Sequence, residues 1–134
     1  MEEKRILVKT DNMAMRWGEM DSLGHMNNVS YYRYFEEGRI SWFDGLNIGY
    51  RSVDQGPILG TMTCKYLKPA VYPVEFCLKT YIGELSKRSF TMWGDLYNSR
   101  KSDELFATSK AIMGWIDIKS GRSCDLPDRL RDLF

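Results

Sequence analysis

Hydrophobic and polar positions follow two different periods along this chain, and the changes between them divide it into elements. Residues 6–10, Ile-Leu-Val-Lys-Thr, are short and β-rich and predict a first strand. Gly18 to Asn28 is dense in Asp, Gly and Asn and reads as a turn-prone stretch. From Asn28 to Leu46 the period becomes helical. Tyr31, Phe35, Gly38, Trp42 and Leu46 share one face, with Arg33, Glu37 and Asp44 on another. Asn27, Asn28 or Ser30 can cap the start of this helix, and Asn47 and Gly49 can end it. Tyr32, Tyr34, Ile40 and Phe43 widen the apolar surface, which predicts a helix largely surrounded by other elements. A glycine inside a helix costs about 1 kcal/mol relative to alanine. Gly38 therefore predicts a close approach by another backbone or a ligand.

After the helix the period drops to two. Ile58, Gly60, Met62, Cys64 and Tyr66 point one way, and Thr61, Thr63 and Lys65 the other. Lys68 to Pro73 breaks this strand. Val74, Phe76, Leu78, Thr80 and Ile82 alternate against Glu75, Lys79 and Tyr81. A turn at Gly83–Arg88 leads to Phe90, Met92 and Leu96, set against Thr91, Trp93 and Tyr97. Asn98 to Asp103 turns the chain again, and residues 105–118 form a long last strand. The connections are too short for parallel crossovers, so these four strands are expected to be antiparallel neighbours. Leu126 to Phe134, with Pro127 near its start, predicts a short amphipathic helix. The order is strand, long helix, then four strands: an α+β domain in which one sheet buries one helix on its concave face.

Composition narrows the function classes. A chain of 134 residues fits a single domain over residues 1–134. It can support a core without disulfides or a structural metal. Apolar residues at 43% and charged residues at 28% are ordinary for a globular protein. A net charge of +1 argues against a nucleic-acid partner, although it leaves room for a local basic pocket. Met1-Glu2-Glu3-Lys4-Arg5 is followed by no apolar secretory region, and no apolar run is long enough to span a membrane. Cys64, Cys77 and Cys124 cannot all pair within one chain. Reduced thiols and a cytoplasmic location are expected. One His and three dispersed Cys do not make a metal-ligand spacing.

The informative stretch runs Arg16-Trp17-Gly18-Glu19-Met20-Asp21-Ser22-Leu23-Gly24-His25-Met26-Asn27-Asn28 into Tyr31-Tyr32-Arg33-Tyr34-Phe35-Glu36. Two chemical parts adjoin in this stretch: a carboxylate in a loop and the start of a long helix. An Asp in a loop can be general base or nucleophile. The first amides of a helix lack intrahelical acceptors and form a positive pole. A loop Asp just before a helix start supplies both parts without a metal.

This stretch resembles the hotdog-fold thioesterases of the 4-hydroxybenzoyl-CoA thioesterase family, in the acyl-CoA thioesterase branch with an Asp-x-x-Gly-His-x-Asn-Asn signature. The order of elements and the turn Tyr66-Leu67-Lys68-Pro69 are similar as well. The resemblance implies a five-stranded antiparallel sheet wrapped around one long central helix. It implies Asp21 as the catalytic residue and the helix start, best represented by the Asn28 amide, as the group that polarises the carbonyl. His25 matches the signature His in a supporting role. Glu36, about two turns into the helix, is too far from its start to be assigned catalysis. The substrate would be an acyl-CoA or acyl-carrier-protein thioester, with coenzyme A entering as part of the substrate and no separate cofactor. A homodimer or homotetramer would cover the open sheet edges.

Each residue also has a plainer reading. Asp21 can be a turn residue that caps nearby amides. Asn27 and Asn28 are helix caps on either reading, with Asn27 also close enough to meet substrate. Cys64 reads as a small core residue. Lys65, Lys68, Lys87 and Arg88 are candidates for the coenzyme A phosphates, or simply a solvated face. Two other functions fit the same fold. One is an acyl-thioester hydratase or dehydratase, which would make His25 essential. The other is a non-enzymatic acyl-thioester-binding protein, which intact Asp21 argues against.

Overall fold

The computed structural model describes residues 4–46 and 54–134. Strand β1 (Arg5–Ala14) leads through a single 3₁₀ turn at Trp17–Glu19 to helix α1 (Asn28–Leu46). Four strands follow, β2 (Gln55–Tyr66), β3 (Glu75–Gly83), β4 (Ser89–Asn98) and β5 (Lys101–Asp117), and then a one-turn helix, α2 (Asp128–Arg131). All strand pairs are antiparallel, in the order β1-β3-β4-β5-β2. With α1 packed across one face, this is the hotdog arrangement that the resemblance implies.

The strand order corrects one expectation. β2 does not neighbour β3; it pairs with β5, and β1 takes the place beside β3. The connection from Leu67 to Val74 is too long for a tight hairpin, and Pro69 and Pro73 keep it out of the ladder. The alternation in β2 also changes phase. The register slips between Leu59 and Thr61, so Leu59 pairs with Met113 and Met62 with Ala111. Both of those partners face the core, which puts Leu59 and Met62 on one side and leaves Ile58 against Gly114 on the other. A bulge at Gly60 causes this, because one extra residue reverses the side-chain phase.

The inner face of the sheet and α1 form two core clusters. Tyr31, Tyr34 and Phe35 pack with Phe76, Leu78, Leu96 and Phe106 beside the start of the helix. Trp42 and Phe43 pack with Phe90, Trp115, Leu126 and Leu130 toward its end. Between them, Gly38 lies against β3. A Cβ there would be 2.5 Å from Leu78 Cδ2 and 2.7 Å from Thr80 Oγ1, so the close approach is made by side chains of the sheet. Gly94 admits the ring of Phe35 in the same way, with 2.5 Å to a would-be Cβ.

The helix is covered on one side only in the single chain. Val29, Tyr32, Arg33, Glu36 and Glu37 are exposed, because the sheet curves around one face and nothing in the described chain covers the other. Arg39, by contrast, is buried, with Nη1 3.7 Å from Met62 Sδ. Its burial lowers the guanidinium pKa, and Glu36 opposes that shift. The expected helix end at Asn47 and Gly49 lies outside the described residues. No helix among the described residues is long and apolar enough to cross a membrane.

Candidate active site

Asp21 sits at the root of a small hairpin. Met20 and Met26 form an antiparallel bridge. Above it the Asp21 N–H donates to the His25 carbonyl at 2.8 Å, and the Gly24 N–H donates to the Asp21 carbonyl at 3.1 Å. Gly24 makes the reversal with φ +80°, a conformation glycine adopts without steric cost. One carboxylate oxygen of Asp21 holds the turn: Oδ1 accepts the Leu23 N–H at 2.8 Å and the His25 N–H at 3.4 Å. No described residue donates to Oδ2. The turn role and the catalytic role are therefore compatible, one per oxygen.

The helix start is built by Asn27. Its Oδ1 accepts the Val29 N–H at 2.8 Å and its carbonyl accepts the Ser30 N–H at 2.9 Å. This is the side-chain capping expected of Asn at such a position. Among the described residues the Asn28 N–H has no acceptor. It is the first helical amide, at the positive end of a 19-residue helix.

These groups meet at a cleft of ≈ 260 Å³ lined in part by Asp21, His25, Asn28, Tyr31, Tyr66 and Lys68. Tyr31 is buried beneath it and accepts the Ala70 N–H at 3.1 Å. Burial raises the pKa of Tyr31, and the charge of Asp21 adds to the rise, so the phenol stays protonated. Tyr66 stands edge-on to Tyr31, with ring centroids 5.0 Å apart, and donates to the Asn28 carbonyl at 3.1 Å. Cys64 lies half-buried against the core, where burial raises its thiol pKa. Exposed apolar side chains, Leu23 and Leu67, form part of the cleft's rim.

The candidate residues are not all gathered here. Asp21, His25 and Asn28 share the cleft with Lys68, whose Nζ is 3.2 Å from Glu104 Oε2. Asn27 caps the helix beside it without lining it. Lys65 lies in a separate groove with Arg5, Trp93, Asp95 and Lys110. Lys87 and Arg88 belong to the connection between β3 and β4, beside the tail. Arg88 Nε is 3.0 Å from Asp125 Oδ1, and the Lys87 carbonyl accepts the Leu126 N–H at 3.0 Å. The four basic residues thus form no single cluster within one chain. Their separation follows from the strand order, which sequence proximity does not reveal. Tyr31 and Tyr66 were legible as apolar positions; their pairing across the cleft required the fold.

The family model described as the thioesterase-like superfamily matches residues 15–134. The YsmA protein of Bacillus subtilis is 28% identical over 122 residues, covering 91% of this chain and 82% of that one. The PA2801 protein of Pseudomonas aeruginosa has a similar structure, with a TM-score of 0.90, 31% identity, and coverage of 96% of this chain and 98% of that one. The fold is also similar to that of Slr0204, a 1,4-dihydroxy-2-naphthoyl-CoA thioesterase from Synechocystis. There the TM-score is 0.82 at 14% identity, with 91% of each chain covered.

Proposed function

This chain belongs to the thioesterase-like superfamily, and we propose that it hydrolyses an acyl-CoA or acyl-carrier-protein thioester at the Asp21 cleft. The observation that carries the proposal is the meeting of two open groups. Asp21 Oδ2 has no described donor, the Asn28 N–H has no described acceptor, and both residues line one cleft. The thioester carbonyl oxygen rests on the Asn28 amide, where the positive end of α1 favours the charge that develops on it. Asp21 either takes a proton from an attacking water or attacks the carbonyl carbon itself. The tetrahedral adduct collapses with expulsion of the thiolate, which leaves readily because a thiol is far more acidic than an alcohol. On the first route the proton held by Asp21 passes to the thiolate or to solvent. On the second a water hydrolyses the acyl-Asp21 anhydride to the free acid and restores the carboxylate. His25 braces the hairpin through its backbone. Lys68 is the one basic candidate in the cleft of its own chain, and it meets a phosphate of the carrier. Lys65, Lys87 and Arg88 would serve that role only from a neighbouring subunit.

The active form is a homodimer or homotetramer on this reading. β2 is an edge strand with exposed Ile58 and Leu59, and the apolar rim of the cleft is open. The finer reading, the acyl-CoA thioesterase branch of the 4-hydroxybenzoyl-CoA thioesterase family, is supported by the signature around Asp21, the order of elements and the turn Tyr66-Leu67-Lys68-Pro69.

A panel of acyl-CoAs of varied length and aromaticity, assayed by release of free thiol, tests the activity, with light scattering on the same sample. At least one thioester is expected to turn over, in a particle larger than the monomer. Binding of thioesters with no turnover of any would make the protein a carrier instead.

A further inference from the structure

The geometry points to Glu19 as a positioning residue that fixes the Asp21 hairpin against the start of α1, acting through Tyr34. This rests on the reading of Asp21 and Asn28 as the reacting pair.

Glu19 has three attachments. Its carbonyl accepts the Asn27 N–H at 2.7 Å, the rung of the hairpin just outside the Met20–Met26 bridge. Its Oε1 accepts the Arg16 N–H at 2.8 Å. The same oxygen accepts the hydroxyl of Tyr34. Tyr34 belongs to α1, and its ring is buried edge-on against Phe76, with centroids 4.9 Å apart. Its hydroxyl also lies 3.4 Å from the Ala14 carbonyl at the end of β1. One side chain thus joins the end of β1, the base of the hairpin and the body of the helix.

The hairpin needs such an anchor. Residues 21–25 are exposed, so packing does not hold them. Besides the helix entry itself, Met26 ties the loop to the Leu67–Val74 connection by a 2.8 Å bond to the Ala70 carbonyl. That bond constrains the side of the hairpin leading into the helix. Glu19 constrains the side leading to Asp21. Asp21 and Asn28 must hold a fixed spacing for carboxylate and amide to act on one carbonyl, and a displacement of about 1 Å can cost about 100-fold in rate. Tyr34 is buried and Glu19 half-buried, and both line a cleft with Arg16 and Glu37, so the joint between them is partly covered. Burial and then the bond to Glu19 raise the Tyr34 pKa, so the hydroxyl remains a donor.

Because one oxygen accepts both bonds, Gln can replace Glu at this position and Ala cannot. The test measures kcat, KM and thermal midpoint for Glu19→Ala, Glu19→Gln, Tyr34→Phe and the double variant Glu19→Ala/Tyr34→Phe, beside Asp21→Asn. Glu19→Ala and Tyr34→Phe are expected to lower kcat by about 10-fold to 100-fold, with KM little changed. Glu19→Gln is expected to restore most of the rate. The double variant should be no slower than the worse single one, because one linkage is lost once. Tyr34→Phe keeps the ring in place, so it decides the matter if Glu19→Ala does not fold. Normal kcat in Tyr34→Phe with an inactive Asp21→Asn would overturn the positioning role alone, as would a Glu19→Gln as slow as Glu19→Ala. An active Asp21→Asn would overturn the site reading beneath it.

Discussion

The two ends of α1 are built in opposite ways. At its end, Trp42 and Phe43 are enclosed by Phe90, Trp115 and the tail residues Leu126 and Leu130. Phe43 meets both Phe90 and Trp115 edge to face at 6.2 Å. At its start, an exposed hairpin hangs on a few hydrogen bonds, and an amide and a carboxylate oxygen have no described partner. The sheet and helix are continuous between these ends, so the closed end can stabilise what the open end leaves unsatisfied. Unpaired polar groups cost stability wherever water is excluded. They are tolerated here because the hairpin is exposed and because the aromatic cluster at the other end supplies apolar burial.

This contrast can be broken at either end. The largest expected effect on stability is at the closed end. Phe43→Ala removes a fully buried ring, and a loss of about 3–5 kcal/mol is expected by denaturant titration. The kcat of the folded fraction should stay close to that of the parent protein. A Phe43→Ala protein that kept its stability but lost turnover would mean that the two ends are not separable as described.

A smaller effect sharpens the comparison at the open end. Lys68 Nζ lies 3.2 Å from Glu104 Oε2 with the lysine side chain open to solvent, so the ion pair adds little to stability. Lys68→Glu is expected to raise KM for an acyl-CoA several-fold with little change in kcat, since a phosphate is held equally in ground and transition states. An unchanged KM would move the phosphate site away from this cleft.

The helix was legible because its signals are local. Asn27 caps it, and the apolar period from Tyr31 to Leu46 matches a helix that starts at Asn28 and runs through Leu46. The β-rich pattern of the first strand covers only residues 6–10, because Asp11 and Asn12 are poor strand formers. In the fold they pair with Leu78 and Cys77, and Asp11 accepts a bond from Ser41 Oγ at 3.0 Å. That partner is 30 positions away, so no local pattern announces it. The bulge at Gly60 was hidden for a related reason. An alternating sequence looks the same with or without a slip, and only pairing to Met113 and Ala111 reveals the phase. Within the site, Asp21 and Asn28 were legible because loop and helix start adjoin in sequence. The places of Lys65, Lys87 and Arg88 depend on strand order and were not. Glu19 stood in plain view two positions before Asp21, but its role depends on Tyr34, which is brought to it by the turn of the helix.

The central claim is that the open oxygen of Asp21 performs chemistry while its other oxygen holds a turn. Asp21→Asn separates the two roles. The amide oxygen of Asn can still accept from the Leu23 and His25 N–H groups, so the hairpin should persist. The amide nitrogen that replaces the other oxygen is neither a base nor a nucleophile. The decisive measurement is kcat of Asp21→Asn on the best thioester of the panel, with KM and the thermal midpoint recorded on the same protein. A fall in kcat of about 10²–10⁴-fold, with binding and fold retained, is the result predicted. A folded Asp21→Asn protein that turns over its thioester at a near-normal rate would contradict the account and leave Asp21 as a turn residue alone.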